Sequence, residues 1–260
     1  MRTVDTDVAV LAVTMFHQIA PEEFWIAFGT GSNFHYIPVH EVVAAMDPRV
    51  CATLHVFHAF TGCDTTSSFG GRGKKTAWSM WKVFPEVTAA FEVLLLMQDT
   101  VSSSTMSTLE RLVILMHDRT SDLTDINEAR KQLFTRKSRS LEKIPSRSLE
   151  NLSPTLAVLE QHTKRVSYQS NCWNKSLIHD PDLSSPGDWG WKKDQTGWQP
   201  VWTTLPEASQ SCSELIHCSC KKGCIGQVQV LQGSPQVHCT LFLPPIAQIL
   251  ISHVLQCNNS

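Results

Sequence analysis

Charge is scarce in this sequence. Only 18% of its residues are Asp, Glu, Lys or Arg, and the net charge is −2. That balance gives no global case for a nucleic-acid partner, so any basic surface has to be local. Long membrane-crossing runs are missing too. The apolar stretch "TLFLPPIAQILISHVL" is interrupted by Pro244 and Pro245 and is too short for a bilayer. The opening "MRTVDTDVAVLAVTMF" does not have the form of a secretory leader, because Asp5 and Asp7 stand where positive charge and a long apolar run belong. No internal repeat is present. Cysteine is the exception to this sparseness. There are nine, an odd number, with a tight cluster near the C-terminus, which fits reduced thiols or metal ligands better than a disulfide framework. The expectation is a protein of a reducing, intracellular compartment, nuclear or cytoplasmic, with no membrane partner.

What is present supports a sizeable core, with 42% hydrophobic residues over 260 positions. "VAVLAV" (8–13) directly follows two acids and predicts a buried parallel strand with carboxylates at one end. "EFWIAFGTGSNFHYIPV" predicts two strands joined by a turn at 29–33. "HEVVAAM", "VCATLHVFHAF", "KKTAWSMWKVF" and "PEVTAAFEVLLLMQ" predict helices, the last opened by Pro85. "TLERLVILMHDR" and "DINEARKQLFTRK" continue the helical run, with Asp125 and Glu128 spaced as a capping box. Composition shifts to Ser, Arg and Pro over 138–154, a predicted linker. A helix follows at "TLAVLEQHTKRVSYQ", then a Trp-rich stretch whose Gly and Pro neighbours predict a hairpin folded on that helix.

The segment "GCDTTSSFGGRGKKTAW" carries the chemistry. It is not a Walker A loop, which needs Gly where Ser68 stands and Ser or Thr where Lys75 stands. The dinucleotide fingerprint fails at Thr76. What remains is a turn, Gly70, Gly71 and Gly73, opening a helix. Such a turn aims backbone N–H groups and a positive dipole end at an anion, and Arg72, Lys74 and Lys75 add charge. A solvated loop before a helix start reads equally well. Asp5, Asp7 and Asp64 are candidates to converge on a hard cation such as Mg²⁺; taken singly, each is also a strand lead-in or a helix cap. Cys63 with His55 and His58 has the residue types of a thiol nucleophile, but the histidines are i,i+3 on an apolar helix, which favours packing.

Together, "DTDVAVLAV" and the later "GCDTTSSFGGRGKKTAW" resemble the second half of the flap-endonuclease branch of PIN-like nucleases. The likeness covers roughly residues 3–97. It implies an α/β fold, a partial parallel-sheet PIN-like core that includes a helix–turn–helix. It also implies Mg²⁺ ligation and catalysis by Asp5, Asp7 and Asp64, and DNA-backbone contact by Gly71, Arg72, Gly73, Lys74 and Lys75. A closer likeness, reaching Gln227, is to a multiplied group of animal proteins that share phrases close to "FHAFTGCDTTSSF", "DRTSDLTDINEARKQLF" and "SPGDWGW" and end in a cysteine-rich block. PIN-like nucleases carry further acids upstream of the Asp-x-Asp strand, and three carboxylates are too few to hold two metals for phosphodiester hydrolysis. The implied function is a nuclease-related protein that contacts nucleic acid and is catalytically incomplete as this chain. The alternative is a non-catalytic nucleic-acid or protein-interaction module.

Two further segments bear on partners. Residues 130–147 hold Arg130, Lys131, Arg136, Lys137, Arg139, Lys143 and Arg147 against Glu142 alone. This reads as a solvated helix end and linker before it reads as a phosphate track. "CSCKKGC" places Cys218, Cys220 and Cys224 close enough to suggest Zn²⁺, with Cys212 or His217 as a fourth ligand. The relatives look like they continue into a tesmin-type zinc repeat, whereas here Val228 and Val230 stand where cysteines are expected, so the cluster reads as degenerate. The expected organisation is a core with helical extension (1–137), a linker (138–154), a helix with Trp hairpin and cysteine remnant (155–227), and an apolar, disordered tail (228–260).

Overall fold

A computed structural model describes residues 1–97, 101–139 and 151–206. The order of elements is β1 (Arg2–Thr3), α1 (Thr6–Thr14), α2 (Phe16–Ile19), β2 (Trp25–Phe28), β3 (His35–Pro38), α3 (Val39–Ala45) and α4 (Pro48–Phe60). Then come α5 (Lys74–Val83), α6 (Val87–Leu95), α7 (Ser103–His117), α8 (Ile126–Arg139), α9 (Leu156–Asn174), β4 (Trp191–Asp194) and β5 (Gly197–Pro200). The class is mixed α/β, with two small sheets among the described residues. In the first, β1 pairs in parallel with β2, and β2 pairs antiparallel with β3, Ile26 opposite Ile37. Residues 1–204 fall within one compact unit; the second, Leu205–Phe242, lies almost wholly outside the described residues.

One expectation is corrected at once. The run 8–13 is a helix, the body of α1, and the strand before it is only the two residues of β1. Ala9, Val10, Ala12 and Val13 are the buried positions, the i, i+3, i+4 spacing of one helical face. A continuous apolar run is equally consistent with a buried strand or a buried helix. The cap decides it: Asp5 accepts from the N–H of Asp7 at 2.9 Å and starts the helix.

The core is organised around α4. Asp47 caps it, accepting from the N–H groups of Arg49 at 2.9 Å and Val50 at 3.2 Å, with Pro48 in its first turn. Every residue from Thr53 to Phe60 is buried, because α1, α6 and α9 pack around the helix. Phe57 stacks on Trp81 at 5.0 Å between ring centroids and meets Trp78 and Phe91 edge-on. Phe60 lies against Phe69, Phe91 and His162. Among the described helices none is long and apolar enough to cross a membrane.

The helices at 39–45, 48–60, 74–83, 87–95, 103–117, 126–139 and 156–174 all lie where the sequence places them. Half of the expected capping box is seen, the N–H of Glu128 donating to Asp125 at 2.8 Å. The predicted linker begins later than expected, because α8 runs to Arg139. Its end is packed: Leu152 and Ser153 are buried, and the carbonyl of Ser153 accepts from Arg130. The Trp-containing hairpin β4–β5 is held to α9 by Arg165, whose Nη1 donates to the carbonyls of Gly190 at 3.3 Å and Val201 at 2.6 Å. Gly190 has φ +79, and a Cβ there would stand 2.8 Å from the Gln161 carbonyl, so the hairpin is as close to α9 as backbone allows.

Candidate functional site

The corner from the end of α4 through residues 61–73 into α5 holds most of the residues singled out above. At its start, α4 leaves carbonyls that need donors. The Lys74 ammonium, turned back from the first residue of α5, donates to the His58 carbonyl and Thr61 Oγ1 at 2.9 Å each, and to the Gly62 carbonyl. Thr66 Oγ1 donates to the Ala59 carbonyl at 2.6 Å, and His162 Nε2 to the Phe60 carbonyl at 2.9 Å. Three elements thus combine to close the C-terminus of one buried helix. Burial pushes the Lys74 amine down to about 8, and the neighbouring Cys63 and Asp7 oppose the shift.

The loop has its own constraints. Gly62 (φ +105) and Gly71 (φ +65) sit in the left-handed region. A Cβ on Gly71 would fall 2.0 Å from Asn151 Oδ1, so this glycine faces protein at that point. Arg72 Nη2 donates to the His117 carbonyl at 3.2 Å, at the C-terminus of α7. Phe69 is buried against Phe60 and His162. The cationic side chains therefore divide. Lys74 and Arg72 are spent on helix C-termini, while Lys75 is exposed. Gly73, the N-cap of α5, offers no side-chain cap, and a Cβ there would meet nothing within 4 Å.

The acids divide as well. Asp5 is exposed and occupied as the cap of α1. Asp7, half-buried, accepts from His58 Nε2 at 2.6 Å. That ring is buried beside Trp173, and its Nδ1 has no hydrogen-bond partner among the described residues. Burial lowers the His58 pKa, Asp7 opposes this, and Lys74 reinforces it. Asp64 is exposed in the loop. Among the described residues no group of three or more His, Cys, Asp or Glu is placed to hold a metal ion. With one carboxylate capping a helix and one committed to a histidine, the three acids do not fit a Mg²⁺ site. Cys218, Cys220 and Cys224, the candidate Zn²⁺ ligands, lie outside the described residues.

The Asp7–His58 pair is the feature that sequence reasoning did not assemble. Its signal was an acid in the first turn of one helix and a histidine on the buried face of another, with nothing in the spacing to join them. His55, one turn earlier, is buried with neither ring nitrogen partnered among the described residues, and burial, with His58 adding to it, lowers its pKa to about 4. Packing on an apolar helix describes both histidines, with a hydrogen bond for His58. No family model, curated protein or solved structure matches this chain.

Proposed function

We propose that this chain is a nuclease-related module that touches the phosphate backbone of a nucleic acid at the N-terminus of α5 and does not cleave it alone. One observation carries the reading: the first turn of α5 is uncapped, open at Gly73, and flanked by the exposed ammonium of Lys75. Free N–H groups, the positive end of the helix dipole and one cation favour a phosphate oxygen. The resemblance of the loop to the backbone-gripping element of flap-endonuclease-type proteins supports the same contact. The contact is narrower than the sequence implied, since Lys74 and Arg72 face inward. A contact made by backbone N–H groups and one ammonium reads phosphate and not base edges, so binding is expected to be weak and independent of sequence.

Fluorescence anisotropy with single- and double-stranded oligonucleotides at rising salt tests this. Lys75→Ala is expected to flatten the plot of log affinity against log salt by about one unit of slope. An unchanged slope would remove the loop from the interface.

The acids lead to a separate expectation. With Asp5 and Asp7 held by internal hydrogen bonds, the chain should show no Mg²⁺- or Mn²⁺-dependent cleavage of flap or single-stranded DNA above background. Robust metal-dependent cleavage, abolished by Asp64→Ala, would overturn this.

A further inference from the structure

The loop before α5 also carries a serine–histidine contact that the phosphate reading leaves unused. His162, buried on α9, donates from Nε2 to the Phe60 carbonyl at 2.9 Å. A carbonyl only accepts, so that nitrogen holds the proton of the neutral ring. Nδ1 is then a bare lone pair, because burial keeps the ring from taking a second proton. Ser67 Oγ lies 3.4 Å from Nδ1, with the hydroxyl as donor. The spacing is loose, as catalytic hydrogen bonds often are before a substrate binds. A nucleophile, its base and a third group that orients the base are thus placed in sequence: Ser67, His162 and the Phe60 carbonyl.

Ser67 is half-buried and lines a cavity of about 130 Å³. The exposed Ser68 and Gly70 and the half-buried Pro154 and Val158 line the same cavity, so it opens to solvent on that side. It is smaller than the sites of drug-sized ligands and has room for a short acyl chain. The loop that presents the serine is held in place. Thr66 Oγ1 donates to the Ala59 carbonyl, the Thr66 carbonyl accepts from the N–H of Cys63 at 3.1 Å, and Thr65 Oγ1 donates to Gln169 at 2.6 Å. The N–H groups of Ser68 and Gly70 donate to nothing among the described residues. They are the donors available to an oxygen that gains charge when a carbonyl beside Ser67 is attacked.

We propose that Ser67 is a nucleophile that takes the acyl group of a small, activated ester, with His162 as its base. The Ser67 oxygen bonds to the carbonyl carbon while its proton passes to His162 Nδ1. The bond to the leaving oxygen breaks, and His162 returns the proton to that oxygen. Water then attacks the acyl carbon, its proton passes through His162 to Ser67, and a carboxylic acid leaves. No carboxylate contacts His162 among the described residues, and burial with the nearby Arg165 disfavours the imidazolium. A weak base confines the reaction to good leaving groups, aryl esters above all. The inference is independent of the nucleic-acid reading, because it uses neither Gly73 nor Lys75.

The test treats the full chain with p-nitrophenyl butanoate, follows release of p-nitrophenolate, and locates the butanoyl group by peptide mass spectrometry. The folded chain should carry it on Ser67. Acylation there should be at least about a hundredfold faster than in the urea-unfolded chain, the low end of general-base assistance. p-Nitrophenyl octanoate should react more slowly, since its chain exceeds the cavity. Ser67→Ala should lose the adduct, and nitrogen NMR should show His162 Nδ1 without a proton. Butanoyl groups on lysines alone, or Ser67 no faster in the folded chain than in the unfolded one, would overturn the proposal. A proton on His162 Nδ1 would remove the base, and octanoate reacting as fast as butanoate would remove the cavity as the acyl site; either result also overturns it.

Discussion

Acidification from pH 7 to pH 4 is expected to remove on the order of 6 kcal/mol of stability, about 3 from each of two buried histidines. His55 and His162 are both held neutral, with pKa values lowered from 6.5 to about 4. Burial is the main cause in each. His58 adds to it for His55; for His162 the hydrogen bond to the Phe60 carbonyl opposes the shift and Arg165 reinforces it. Because the folded pKa lies below the unfolded one, the unfolded chain binds more protons between pH 6.5 and 4. Their contribution is therefore complete above pH 6.5 and is lost as pH falls to about 4. A loss of that size is comparable to the whole stability of a typical domain, so acid unfolding should fall inside this window. His55→Leu separates this cause from general acid effects. Leucine replaces two unpartnered ring nitrogens with apolar atoms, so stability at pH 7 should hold and the acid midpoint should move to lower pH. Circular dichroism against pH reads both. An unchanged midpoint would show that His55 is not a buried neutral group.

Phe57→Ala is expected to cost about 3–5 kcal/mol at neutral pH, the range for emptying a large aromatic site in a packed core. Phe57 is fully buried on α4 and touches Trp78, Trp81 and Phe91, so its loss opens a hole between three helices. Those rings are large and locked, Trp81 by its bond to Thr88, and have little room to collapse inward. Phe57→Leu, which keeps most of the volume, should cost much less. Urea unfolding midpoints for the two variants make the comparison. Similar small losses in both would mean that α4 is not the centre of the core.

These energetic features differ in how far they could be read from residues alone. A helix with a start signal a few residues long, such as α8 behind Asp125 and Glu128, was legible because that signal is local. The hairpin at 191–200 was legible for the same reason: its turn residues and its tryptophans sit within a few positions of each other. α1 was not, since an apolar run carries no period, and only the hydrogen bond from the N–H of Asp7 to Asp5 distinguishes helix from strand. The candidate site was legible in its location and opaque in its wiring. Residues 61–75 were visible as a cationic glycine turn opening a helix. That Lys74 turns back to the carbonyls of α4, and that Arg72 reaches the end of α7, depends on contacts with distant elements. Sequence places a lysine in a loop; which way its amine points is decided by the nearest unsatisfied acceptors. The pairing of Asp7 with His58 was hidden for the same reason, because it joins the start of one helix to the end of another.

Lys74 faces inward and its neighbour Lys75 outward, and one side-by-side measurement tests the duties proposed for them: urea stability and oligonucleotide affinity for Lys74→Met and Lys75→Met. Methionine keeps most of the length of the side chain and removes the charge. Lys74→Met leaves the carbonyls of His58 and Gly62 and the Thr61 hydroxyl without their donor, and should lower stability by about 1–3 kcal/mol. The salt slope of binding should stay unchanged in that variant, measured where it remains folded. Lys75→Met should leave stability within about 0.5 kcal/mol and reduce the salt slope by about one unit. The opposite pattern, a stable Lys74→Met that loses salt-dependent binding beside a Lys75→Met that binds as before, would contradict the account.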